Sequence, residues 1–414
     1  MLSLDQLSAS LKANNTFQPT LVIDLTSLDH NIRLADKQLS NTSQLRLVVK
    51  SLPSLALLRH ITQQNNCNRF MCFHLPFLAR IQEAYPNADV LFGKPMPIAA
   101  FKAFLSSRSS SDVSSSASLL SNIQWLIDSP KRLGEYEAIA REQNQVIRVN
   151  LEINIGLNRG GFELNTHFDD ALSFIDQSPH LKFSGLMGYE AHASKMPSVF
   201  GGLKREVARC LKNYQAFKAR ASRYCDETSC FNTGGSTTFT QYASHNRPVS
   251  EVSKNSHSTC NDISLGSILL KPSDFDLPHL HAFKPAIFIA TPLLKTIDNI
   301  ALPGPKIITK ALATTKVLPE KSGYIYGGNW LAKPVYPPDM KQVQLFGRSS
   351  NQELYSFSND STISPDDVVL FRPTQSESVL LQFGEIVVVR DNEIVDRWAP
   401  LSQLHQSFPS AGKD

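Results

Sequence analysis

The lysine that ends the apolar run Leu45 to Lys50 (LRLVVK) is the first residue whose type and place suggest chemistry. An amine emerging from a buried strand is desolvated, which lowers its pKa and makes it a nucleophile fit to condense with an aldehyde. The competing reading is an ordinary strand-end lysine in solvent. Further along, Leu151 to Phe162 (LEINIGLNRGGF) runs into a glycine turn carrying Arg159, a permanent cation whose planar fork can hold a phenolate or a carboxylate. Thr233 to Thr237 (TGGST) lets backbone N–H groups at Gly234 and Gly235 approach an anion, with the hydroxyls of Ser236 and Thr237 alongside, and Gly266 and Ser267 in Leu265 to Ser267 (LGS) can complete that cradle. Each segment alone is a weak signal, since GlyGlySer turns are mostly just turns. Other reactive types are less suggestive. Six cysteines without a CxxC pair fit reduced structural thiols rather than a disulfide framework, zinc or redox chemistry. His279 and His281 alternate across an expected extended segment, which would put both rings on one strand face, short of a third metal ligand.

These residues gain weight from the elements that carry them. Eight short apolar runs recur, each followed by a helix-like stretch: Leu45 to Lys50, Arg69 to His74, Asp89 to Gly93, Ile123 to Asp128, Val146 to Ile153, Phe183 to Tyr189, Cys230 to Ser236 and Ile263 to Leu270. Eight strands alternating with amphipathic stretches such as Ser54 to Thr62, Pro130 to Arg141 and Leu203 to Ala219 predict an α/β fold, a (β/α)8 TIM barrel. Reactive groups in such a barrel sit at the C-terminal ends of strands, where Lys50, Arg159, TGGST and LGS all fall. Ser106 to Ser118 (SSRSSSDVSSSAS) reads as a flexible surface loop, and Gln241 to Asp262 as a lengthened connection. After about residue 282 the pattern changes to strands and turns, including Ala286 to Pro292, Val343 to Phe346, Val368 to Arg372, Val379 to Phe383 and Ile386 to Asp391. The expected division is a barrel over 20–282 and a C-terminal β domain over 283–405. The run Thr20 to Leu25 (TLVIDL) has no place in the count of eight, and either pairs with the tail domain or covers the barrel.

Composition narrows the partners. The chain has 414 residues, 42% of them hydrophobic, and carries 41 basic against 37 acidic side chains, a net charge of +4 spread along its length. No basic stripe exists to track a phosphate backbone, so nucleic acid is not an expected partner. Met1 to Leu11 lacks a cationic start followed by an apolar run, and no stretch is long and apolar enough for a membrane span, so a soluble cytoplasmic protein is expected.

Taken in order, these motifs resemble the fold-type III pyridoxal-phosphate (PLP) enzymes, and are similar to the D-threonine aldolase and D-serine dehydratase family, which shares its barrel with alanine racemases. The resemblance runs through PTLVIDLTSLDHNI at Pro19 to Ile32, LRLVVKSLPS around Lys50, LIDSPKRL at Leu126 to Leu133, LEINIGLNRGGF around Arg159, GLMGYEAHAS at Gly185 to Ser194, TGGST, and LGSILLKPSDFD at Leu265 to Asp276. It implies that Lys50 is the Schiff-base lysine, that Arg159 lies on the cofactor's phenolic side, that Tyr189 lies near the pyridine ring, and that Gly234, Gly235, Ser236, Thr237, Gly266 and Ser267 bind the phosphate. His192, in GYEAHAS, is either a residue of the mouth or a packed or exposed histidine.

The resemblance also shows a departure. Its aldolases and dehydratases carry a tail motif of the type Pro-x-His-x-Cys or Pro-x-His-x-Asp that binds a divalent metal, and the matching stretch Arg372 to Ser378 (RPTQSES) puts Gln375 at the histidine position and Glu377 at the acid or thiol position. The upstream Ser-x-Glu-His motif is replaced by Ser349 to Gln352 (SSNQ). An amide is a poor ligand beside imidazole, so a divalent metal is not expected there, and Glu377 is a candidate general base or a surface residue of a turn. Tyr324 and Tyr326 in Gly323 to Trp330 (GYIYGGNW) stand where a racemase's tail-domain tyrosine would act as a second base from the partner subunit, or else are packing residues of a strand. That arrangement would require a head-to-tail homodimer. The expectation is therefore a PLP-dependent lyase on a small D- or β-hydroxy amino acid, with a metal-independent racemase and a non-catalytic PLP-binding protein as alternatives.

Overall fold

A computed structural model describes residues 3–39, 43–109, 120–242, 259–300 and 319–401, without the side chains of Arg108, Ser109 and Leu345. The chain forms two compact units, one of Met1–Ile32 with Ser267–Pro400 and one of Arg33–Gly266 with Leu401–Asp414. This division differs from the one expected at residue 282.

The chain opens with helix α1 (Leu4–Ala13), strand β1 (Thr20–Asp24) and helix α2 (Leu25–Leu39). The second unit is then a closed parallel barrel of eight strands in chain order: β2 (Gln44–Val48), β3 (Arg69–Cys72), β4 (Asp89–Phe92), β5 (Ile123–Ile127), β6 (Ile147–Glu152), β7 (Leu181–Met187), β8 (Cys230–Thr233) and β9 (Asp262–Leu265). All eight runs expected to be strands are strands of this barrel, closed by β9 pairing with β2 from Gln44↔Asp262 to Leu47↔Leu265. The intervening helices are α3 (Leu55–Asn65), α4 (Leu75–Ala84), α5 (Ile98–Ser109), α6 (Pro130–Glu142), α7 (Thr166–Gln177) and α8 (Gly202–Ala221). Several begin where a side chain satisfies an orphan N–H: Ser54 accepts from Leu57 N, Ser129 from Arg132 N, and Asn165 from His167 N. Toward the strands' C-terminal ends the interior is closed by Val48, Met71, Leu91, Leu126 and Met187, with Phe73 packed on them.

The strands' N-terminal ends enclose charge instead. Arg46, fully buried, donates to both carboxylate oxygens of fully buried Asp262 at 2.8 and 2.9 Å, and to the carbonyl of Phe70 at 3.0 Å. Asp262 also accepts from Asn232 at 2.5 Å and Arg69 at 3.1 Å. Burial alone would push the Asp89 carboxyl up, but Arg46, Arg148 and Arg69 outweigh it and hold it below its usual value.

The first unit is built on a nine-stranded sheet that takes in β1. Strand β1 pairs antiparallel with β10 (Ile287–Asp298), Thr20↔Ala290, and parallel with β16 (Ile386–Arg390), Leu21↔Ile386, which answers the question left open by TLVIDL. Its Val22 joins Leu7, Leu11, Phe288, Ala290, Val368, Leu370, Val387 and Val389 in one apolar cluster. Leu4, Leu7 and Leu11, spaced for one helical face, bring α1 onto that cluster, and the Ser8 hydroxyl donates to the Val368 carbonyl at 2.6 Å. The rest of the sheet is β11 (Lys321–Tyr326), β12 (Ala332–Tyr336), β13 (Lys341–Gln342), β14 (Gln352–Phe357), β15 (Val368–Pro373) and β17 (Glu393–Trp398).

Several expectations are corrected. Val343 to Phe346 is not a strand: Gln344–Phe346 forms a 3-10 turn, with Val343 packed beside Ile300 and Leu354. Val379 to Phe383 is a turn whose apolar Val379 and Leu380 are fully buried, so the run reflects core packing rather than pairing. His279 and His281 do not share a strand face; Pro278 starts a 3-10 turn over Pro278–Leu280, and the His281 ring bonds back to the Pro278 carbonyl at 2.8 Å. The serine-rich segment begins inside α5, and its remainder, with most of Gln241 to Asp262, lies outside the described residues. Among the described residues no helix is long and apolar enough to cross a membrane.

Candidate functional site

The barrel mouth collects most of the residues singled out above. Strand β2 ends at Val48, and the 3-10 turn Val49–Ser51 follows, so Lys50 is exposed rather than desolvated, its ammonium over the Phe73 ring at 4.6 Å from the centroid. Beside it, past the end of β3, burial and the charges of Lys94 and Lys50 hold the His74 imidazole below its usual pKa. That side of the mouth is cationic.

Ser51, the next residue, reaches the expected cradle. A Cβ on Gly266 would stand 2.7 Å from Ser51 Cβ and 2.9 Å from Val48 Cβ, so only glycine lets the end of β9 close against the end of β2. The Gly266 N–H donates to Ser236 Oγ at 3.3 Å, joining the LGS and TGGST segments. On the other side of that turn a Cβ on Gly235 would meet the Tyr189 ring at 2.9 Å, and Gly234 has φ +77°, a left-handed backbone that side chains resist. The Arg159 guanidinium lies 5.5 Å from the centroid of the same tyrosine ring, and 3.8 Å from the Glu152 carboxylate at the end of β6. Burial raises the Glu152 pKa, against the lowering effect of Arg159. Lys50, Ser51, Gly266, Ser236, Gly235, Tyr189 and Arg159 thus form one continuous arc.

The turn's two glycine amides do not point outward as expected. Gly234 N–H donates to Glu190 Oε2 at 3.3 Å and Gly235 N–H to Thr238 Oγ1 at 3.1 Å. Glu190 is fully buried and also accepts from Thr233 Oγ1 at 3.1 Å and Thr238 Oγ1 at 2.5 Å. Burial raises its pKa, and these donors oppose the rise. Sequence reasoning missed Glu190, although it lies next to Tyr189 in GYEAHAS. A carboxylate three residues past the end of an apolar strand, beside Tyr189, was the available signal. His192 is half-buried and bonds Glu206 Oε1 at 2.7 Å.

The remaining expected residues belong to the other unit. Ser267, 4% exposed, donates its hydroxyl to Glu377 Oε2 at 3.1 Å and accepts from Ser376 Oγ at 2.9 Å, while Glu377 itself is exposed. Gln375 is exposed and its amide donates to Asp274 at 3.2 Å. Tyr324 packs on Ile300, Val343 and Leu354, with the Lys295 ammonium over its ring. Tyr326 is 42% exposed and precedes Gly327 and Gly328, whose φ values are +80° and +139°. A Cβ on Gly328 would stand 2.4 Å from both Glu353 Cβ and the Ser349 carbonyl. Buried Glu353 accepts from Asn329 N and the Tyr355 hydroxyl, fixing the turn that presents Tyr326.

Among solved structures, the chain is similar to a D-threonine aldolase from Filomicrobium marinum, at TM-score 0.71 and 17% identity over 94% of this chain and 95% of that one. It is also similar to a D-threo-3-hydroxyaspartate dehydratase from Delftia sp. HT23, at 0.68 and 12% over 94% and 98%, and to an alanine racemase from Clostridium difficile 630, at 0.66 and 13% over 92% and 98%. At such identities these likenesses speak for the fold. No curated protein matches the sequence. The family model for the N-terminal domain of alanine racemase matches residues 23–249, more than half of the chain, from the end of β1 through the barrel strands up to β8. The resemblance read from the motifs therefore holds, and the chain belongs to the alanine racemase N-terminal domain family.

Proposed function

We propose that the protein is a PLP-dependent enzyme acting on a small D- or β-hydroxy amino acid, and that its reaction is that of a lyase of the D-serine dehydratase or D-threonine aldolase type. The observation that carries this reading is the arc at the barrel mouth: an exposed lysine adjoins, through Ser51, a glycine and hydroxyl turn that shares a wall with Tyr189 and Arg159. The residues fit the cofactor. Gly235 leaves room that a Cβ would take from the Tyr189 ring, and Gly266 brings its N–H to the Ser236 hydroxyl. When bound, PLP supplies an electron sink that lets a bond to an amino acid's Cα break.

The chain's own residues do the rest. Lys50 would be the amine that holds the cofactor, and it offers a base on its own side of the mouth. The hydroxyls of Ser236 and Thr237 would meet the phosphate, with the Gly266 N–H holding the Ser236 hydroxyl in place and Glu190 holding the turn from beneath. Tyr189 offers a ring face, and Arg159 keeps a positive charge beside it. Glu377 and the Ser267 hydroxyl form a hydrogen-bonded pair able to hold a proton. The tail motif's donor set, an amide already bonded to Asp274 and a carboxylate bonded to two serines, does not fit a divalent metal, so no step is assigned to one.

A racemase is the second reading, favoured by the exposed Tyr326 on its glycine turn, and it entails a homodimer that shares active sites. A panel of D-serine, D-threonine and D-threo-3-hydroxyaspartate separates the two. Release of ammonia with a 2-oxo acid, or of an aldehyde with glycine, supports the lyase. Solvent deuterium at Cα of both enantiomers with neither product favours the racemase, and no turnover of any member overturns both.

A further inference from the structure

Past the end of β7, the connection that carries Tyr189 and Glu190 continues into the short 3-10 segment Ala191–Lys195 and then to α8. On it, His192 Nε2 lies 2.7 Å from Glu206 Oε1, and Cys210 Sγ lies 3.9 Å from that nitrogen and 3.8 Å from that oxygen. Glu206 and Cys210 are one helical turn apart on α8, both buried, so the helix presents them on one face to the imidazole. A nucleophilic triad does not explain this grouping. A base that activates a thiol uses one ring nitrogen for the thiol and the other for the carboxylate, whereas here both converge on Nε2, and Nδ1 is buried without a partner.

Three donors around one point are instead what a metal ion requires. In the plane of the three donors, the point equidistant from nitrogen, oxygen and sulfur lies about 2.1 Å from each, against lengths of about 2.0–2.3 Å for zinc bound to these donors, and the 2.7 Å between nitrogen and oxygen has to widen as the ion rises from that plane to tetrahedral angles. We propose that His192, Glu206 and Cys210 form a divalent transition-metal site, with zinc as the ion that best suits a thiolate, an imidazole and a carboxylate. Calcium and magnesium prefer all-oxygen shells and are excluded by the donor set. Three protein ligands leave a fourth tetrahedral position open to water or a small ligand, and the site is independent of the PLP reading.

Arg209 is the element that must yield. Its guanidinium bonds both carboxylate oxygens, at 2.5 Å from Nη2 to Oε1 and 3.0 Å from Nε to Oε2. The arginine side chain is half exposed, so it can swing off Oε1 and keep Oε2, holding the carboxylate in place from behind. The unpartnered Nδ1 deprives the imidazole of the outer acceptor that strengthens metal sites, so the ion is predicted to be exchangeable and removable by a chelator.

The test loads chelator-stripped full-length protein with cobalt, followed by visible difference spectra and metal analysis. The expected result is one cobalt per chain, with the intense d–d absorption of a tetrahedral site and a thiolate-to-cobalt charge-transfer band, displaced by zinc. Cys210→Ser should abolish the charge-transfer band and weaken binding at least about tenfold, and His192→Gln should weaken it similarly, with circular dichroism showing that both variants fold. Gln375→Ala should change nothing. The proposal is overturned if wild-type protein takes up no cobalt, if the thiolate band survives Cys210→Ser, or if Gln375→Ala removes the ion.

Discussion

Glu190 and Gly235 show how the turn at the mouth is held, and each leads to a measurable outcome. Glu190 satisfies two threonine hydroxyls and one backbone N–H from inside the barrel wall. Glu190→Ala removes the acceptor they share, leaving Thr233 only the Tyr242 hydroxyl and Thr238 only the Gly235 carbonyl at 3.4 Å, and is expected to cost about 1–3 kcal/mol in urea unfolding. Because burial raises the Glu190 pKa in the folded state, its contribution is full below the unfolded value of 4.5 and declines as pH rises through the folded pKa; Glu190→Gln should remove that decline. Gly235→Ala places a methyl group 2.9 Å from the Tyr189 ring and is expected to weaken PLP binding, measured by fluorescence titration, by about tenfold or more, equivalent to about 1.4 kcal/mol. Unchanged affinity would mean that the turn does not shape the cofactor site. The residues of this arc were legible because lysine, arginine and a GlyGlySer turn each carry a distinctive chemistry at a strand end. Glu190 was not, because its role depends on contacts with a segment more than forty positions away, and Lys50 was misjudged as desolvated because the run's last two residues turn out of the strand.

At the scale of elements, the barrel strands were readable from their short apolar runs, yet the charge at their feet was not. Arg46 stands in the middle of LRLVVK and is fully buried against Asp262, which comes from the opposite end of the barrel sequence. Asp262→Ala removes the carboxylate but leaves the guanidinium in place, and is expected to destabilise the barrel by about 3–5 kcal/mol in denaturant unfolding. Asp262→Asn, which keeps an acceptor, should cost less. The contact between the β7 connection and α8 gives a pH signature. The Arg209 guanidinium, with His192, holds the Glu206 carboxyl down to about 2. A lowered carboxyl stabilises the fold above its unfolded value of 4.5 and loses that contribution as pH falls toward about 2. Thermal melts of chelator-stripped protein between those limits should be shallower in pH for Glu206→Gln than for the wild type. In the tail sheet, apolar runs were poorer guides, since Val379 and Leu380 are buried in a turn and Ile325 in a strand, and burial alone does not distinguish the two.

For the whole molecule, the largest difference between sequence and structure is which residues make up each unit. Leu21 pairs with Ile386 across almost the entire chain, a link that no local pattern encodes, and Val22 fills a cluster otherwise built from the first helix and the tail strands. Deleting residues 1–24 would leave β10 and β16 with unpaired edges and open that cluster. The shortened chain is expected to aggregate or lose its cooperative melt, whereas a tail sheet complete without β1 would tolerate the cut. The account's central claim concerns the barrel mouth, and one experiment addresses it most directly: reduction of PLP-loaded protein with borohydride, followed by peptide mass mapping. The account predicts one pyridoxyl group per chain, carried by Lys50, with Lys50→Ala binding no PLP covalently and losing turnover. Failure of the wild type to trap any PLP, or attachment at another lysine such as Lys94, would contradict it.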